Sequence, residues 1–118
     1  METPQELEVW YVIPTIRREL SIAMKNSGLK QVEIANKLGI TKSAVTQYLN
    51  HKRANELEFN EKIKNAVKQS SLKINNKIDA IREIQLLLNL TREERIICKL
   101  HSKLDSDFSK CEVCYQLK

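Results

Sequence analysis

Apolar residues recur along this chain mainly at three- and four-residue intervals, a period that predicts helices nearly throughout. Ile16, Leu20, Ala23 and Met24 form one stripe between Pro14 and about Ser27, with Gly28 placed to end the helix. Ahead of it, Thr3, Pro4 and Glu6 read as a helix start: a capping hydroxyl, a proline in the first turn, then a carboxylate. Pro14 removes a backbone donor and biases Ile13 away from helical angles, so the first helix should be short and kinked or broken from the second. Two short helical patterns follow, Gln31 to Leu38 and Lys42 to His51, separated at Gly39. After a polar stretch, HKRANE, the spacing resumes at Phe59, Ile63, Ala66 and Val67. Ile74, Ile78, Ile81 and Leu88 predict one seam with Gln85 as its polar member. Thr91 and Glu94 have the spacing of a capping box, which predicts a last helix holding Ile97, Cys98, Leu100 and His101. No stretch alternates convincingly as a strand would.

Composition sharpens this into an all-α expectation. Two Gly and two Pro are too few for the tight turns of a sandwich or barrel. Aromatic residues make up 5%, so the core must come mainly from Ile, Leu, Val and Ala. The net charge of +5 is unevenly placed. Residues 1–13 carry three acids and no base, residues 14–53 carry eight Lys or Arg against two acids, and the rest is nearly balanced. A positive excess concentrated in one early segment is the footprint of a surface that meets phosphates. No apolar run approaches a membrane span and no signal-peptide core is visible, so a cytoplasmic protein is expected.

The stretch KQVEIANKLGITKSAVTQYLN carries the most information. Ile34, Ala35 and Leu38 give the first short helix an apolar face, and Val45, Tyr48 and Leu49 do so for the second. Ala35 is small where two helices must cross closely, Gly39 can take positive φ in the turn, Ile40 plugs the corner, and Thr41 is a good cap. That is the packing logic of a helix-turn-helix. The arrangement, over about Pro14 to Val67, resembles the Cro and lambda-repressor type, the XRE family. The resemblance implies a second helix lying in the DNA major groove, with Lys42, Ser43, Thr46, Gln47 and Asn50 outside. Gln47 is the first choice for base readout, since an amide pairs bidentately with adenine. Gln31, Lys42, Lys52 and Arg53 are expected on phosphates. His51 is expected to meet DNA or water rather than metal.

The opening METPQELEVWYVIPTIRREL is also similar to a family of archaeal predicted transcriptional regulators of this type. Longer relatives fuse the region to a thiamine-phosphate-binding domain, for which 118 residues leave no room, so thiamine sensing is not expected. Shorter relatives carry cysteine-containing tails.

Such a tail is present. Cys98, His101, Cys111 and Cys114 form C-x2-H-x9-C-x2-C, two close pairs joined by a polar loop. Four ligands of this kind can close a tetrahedron around zinc, the favoured metal, with an iron–sulfur cluster as the alternative. A redox dithiol at Cys111 and Cys114, a coincidental cluster, or a metal shared between subunits are the competing readings. The expected organisation is a DNA-binding unit over 1–70 and a helical dimerisation and metal-binding region over 71–118. The Ile74–Leu88 seam is a dimer surface or packs on the protein's own core. The expected function is a dimeric, sequence-specific transcription regulator. The alternative is a metal-stabilised adaptor that binds proteins. Enzymatic activity is not expected, because four protein ligands leave no open metal position and no nucleophile has a paired base.

Overall fold

The structure, a computed structural model, describes residues 4–50 and 58–96. All regular elements among them are helical, as the periodicity predicts. They are α1 (Pro4–Leu7), a π-helical turn (Glu8–Val12), α2 (Ile13–Asn26), α3 (Gln31–Leu38), α4 (Lys42–Leu49), α5 (Glu61–Ser71) and α6 (Lys77–Glu93).

Pro14 does not break the chain from its first helix. Lacking an N–H, it cannot bond the Trp10 carbonyl, and its ring needs room where a tight α-turn would run. The π turn supplies that room, with the Ile13 N–H donating to the Glu8 carbonyl five residues back. Helix α2 then runs through the middle of the molecule. Ile16, Leu20 and Met24 are buried in its core, and α3, α4, α5 and α6 all pack on it. It ends as expected at Gly28, which has φ of +98° and lets the Leu29 N–H reach the Met24 carbonyl at 3.1 Å.

One hydrophobic cluster joins Leu7 and Val12 to Ile34, Leu38, Val45, Phe59, Ile63, Val67, Ala80, Ile84, Leu87 and Ile96. Helices α5 and α6 therefore share a core with α3 and α4. Two expectations for α6 are overturned. The helix begins at Lys77 behind the cap Asn76, so Ile74 is not on it, and its buried face is Ala80, Ile84, Leu87, Leu88 and Thr91. The predicted seam is split: Ile74 and Leu88 are 1% and 4% exposed, whereas Ile78 and Ile81 are 75% and 63% exposed. Nor does Thr91 open a new helix. It lies buried inside α6 with its hydroxyl donating to the Leu88 carbonyl at 2.6 Å. Glu94 instead accepts from Asn60 Nδ2 at 3.1 Å, tying the end of α6 to the start of α5. Thr3, His51 and the residues after Ile96 lie outside the described residues.

Candidate nucleic-acid interface

Helix α3 ends in a Schellman turn built on Gly39. With φ of +70° the glycine reverses the chain, and the Ile40 N–H reaches the Ala35 carbonyl at 3.0 Å. At the other end of α3, the Glu33 carboxylate accepts from the Lys30 N–H at 3.2 Å, while the lysine side chain has no acceptor to complete a capping box. Ile40 packs into the corner against the buried pair Ala44 and Tyr48. Thr41 caps α4, its hydroxyl accepting from the Ala44 N–H at 3.0 Å.

These devices fix the rotation of α4. Ala44, Val45 and Tyr48 are buried and Leu49 is half-buried, which turns Lys42, Ser43 and Asn50 to the surface. Thr46 and Gln47 are half-buried on the same outward side. Lys42, Ser43, Thr46 and Gln47 together line a shallow open depression. Gln31, the first residue of α3, is brought to this face from fifteen positions away: the Thr46 hydroxyl lies 2.8 Å from Gln31 Oε1 and 3.0 Å from the Lys42 carbonyl. The predicted residues Gln31, Lys42, Ser43, Thr46 and Gln47 thus occupy one contiguous surface, with Asn50 exposed at the C-terminal end of α4. Lys52 and Arg53 lie outside the described residues, as do Cys98, His101, Cys111 and Cys114. Among the described residues no group of His, Cys, Asp or Glu could hold a metal ion, and no helix is long and apolar enough to cross a membrane.

Sequence reasoning missed two features of this face. Ala44 is a buried contact of α4, and only its position one turn before Tyr48 hinted at it. The Gln31–Thr46 bond left no sequence signal, because it depends on how the two helices cross.

Residues 15–51 match a family model described as winged helix-turn-helix DNA-binding. The match spans nearly all of α2, the helices α3 and α4 and the turn between them. It supports a DNA-binding regulator and points away from an enzyme. The described residues contain no strand, so no β-wing is present among them; residues 51–57, between α4 and α5, lie outside them. No curated protein and no solved structure gives a significant match.

Proposed function

We propose that the protein is a sequence-specific transcription regulator of the Cro and lambda-repressor type that reads the major groove with α4. The observation that carries this reading is the amphipathic setting of α4. Its apolar side is locked into the core while five polar side chains able to meet bases or phosphates face outward. Gln47 is the base-reading residue, with Ser43, Thr46 and Asn50 beside it. Gln31 and Lys42 hold phosphates and set the register, joined by Lys52 and Arg53. Among the described residues the motif is flanked by helices alone, which favours this type over a winged one.

A single motif reads few base pairs, so the protein acts as a homodimer, with two copies of α4 about 34 Å apart across one turn of DNA. Ile78 and Ile81, the exposed half of the predicted seam, are apolar side chains available for that contact. Cys98, His101, Cys111 and Cys114 bind one metal per chain, zinc before an iron–sulfur cluster, which fixes the tail or senses metal or redox state. A gel shift with the DNA upstream of its own coding sequence tests the function. A retarded band that weakens steeply with salt is expected, and capture of proteins without any DNA binding would favour an adaptor.

A further inference from the structure

Lys77 opens α6, yet its side chain lies against the central motif rather than along its own helix. Its Cγ, Cδ and Cε are 3.0, 3.2 and 3.6 Å from the point that a Cβ on Gly39 would occupy. A side chain there would have to displace the lysine stem by a few tenths of an ångström, so the stem packs closely over the bare glycine. Gly39 is three residues before Lys42, and that much chain spans at most about 11 Å. Lys37 lies in the last turn of α3. Three helices that each carry a lysine near this turn, α3 with Lys37, α4 with Lys42 and α6 with Lys77, thus meet at the edge of the candidate interface.

Among the described residues, no ion pair or hydrogen bond engages the amine of Lys37, Lys42 or Lys77. The acids on the flanking turns are occupied elsewhere. Asp79 accepts from the Asn75 N–H at 3.0 Å and pairs with Arg82 at 3.3 Å, and Glu33 accepts from the Lys30 N–H. Cations with no counter-charge among the described residues, on a face that already holds Lys42, favour a polyanion.

We propose that Lys77 is a DNA backbone contact, so that the nucleic-acid surface extends from α3 and α4 onto the start of α6. This rests on the DNA-binding reading above. Its partner is a phosphate at the edge of the groove that α4 enters. The lysine contributes affinity and register but no base preference, because a phosphate carries no sequence information. It also makes α6 part of the DNA-facing body.

The test is fluorescence anisotropy of the full chain with a labelled mixed-sequence 30-base-pair duplex, across a potassium chloride series. Lys77→Met keeps the apolar stem over Gly39 and removes the charge. It should lower the slope of log affinity against log salt by about 0.9, with binding weakened about three- to tenfold near physiological salt. Lys77→Arg should restore both, and Lys68→Met, on the exposed side of α5, should change neither. A wild-type slope and affinity for Lys77→Met, alongside losses for Lys42→Met, would overturn the proposal and leave the DNA reading standing. A lowered melting temperature or binding-competent fraction with an unchanged slope would show a structural lysine and equally overturn it. Absence of duplex binding by the wild-type chain would remove both readings.

Discussion

The Gln31 side chain acts through its partner. Its carbonyl oxygen is held by the Thr46 hydroxyl at 2.8 Å, which leaves the amide nitrogen as the donor end. A donor fixed in that way suits a phosphate oxygen. Thr46→Val preserves shape and removes the hydroxyl, so it should weaken binding to any duplex by about two- to tenfold, the worth of one net hydrogen bond. Thermal unfolding should barely move, because the bond is near the surface. The double variant with Gln31→Ala should bind no more weakly than Gln31→Ala alone, since the two residues act as a unit. Anisotropy titrations of the three variants check this, and additive losses would show that the two side chains work independently.

At the scale of elements, the central motif was legible because its requirements are local. A glycine at positive φ, a small residue under the crossing, a corner plug and a capping threonine sit within a few residues of each other. Replacing Gly39 with Ala should cost about 1–2 kcal/mol from the left-handed backbone alone. The added Cβ would also meet the Lys77 stem at 3.0 Å, so the lysine must shift or the loss grows. Denaturant unfolding measures it, and an unchanged midpoint would contradict the turn geometry. Helix α6 was less legible. Its Ile78 and Ile81 have the same spacing as buried residues, but which side of a helix is covered depends on how the neighbouring helices cross it. Thr91 and Glu94 fit a capping box in sequence, yet the run of apolar residues before them continues the helix through that point. Pro14 predicted a short first helix with a kink or a break after it: the first helix is short, but a π turn absorbs the missing donor without a break, and Ile13 keeps helical angles.

Over the whole molecule, the two ends of the described chain are tied together. Arg92 Nε and Nη2 donate to the Glu8 carboxylate at 2.7 and 2.9 Å, a forked pair linking the π turn to the last turn of α6. Glu8 is largely buried, so Arg92→Ala would strand its charge and should destabilise the fold by about 1–3 kcal/mol. Glu8→Gln with Arg92→Ala should recover part of that loss, and unfolding curves of the single and double variants decide it. No sequence pattern announces a contact across 84 positions. Beyond α6, elemental analysis with an absorption spectrum of anaerobically purified protein should give one colourless zinc per chain. Visible absorbance would mean a cluster, and no metal would remove the tail site. The most direct test of the central claim, that the outward side of α4 reads bases, is selection of bound duplexes from a random library by the wild type, Gln47→Ala and Lys42→Ala. Wild type should enrich a defined sequence. Gln47→Ala should lose preference at one or two positions with random-duplex affinity retained, and Lys42→Ala should keep the sequence while binding everything more weakly. Identical enriched sequences for wild type and Gln47→Ala, or no enrichment by any of the three, would contradict it.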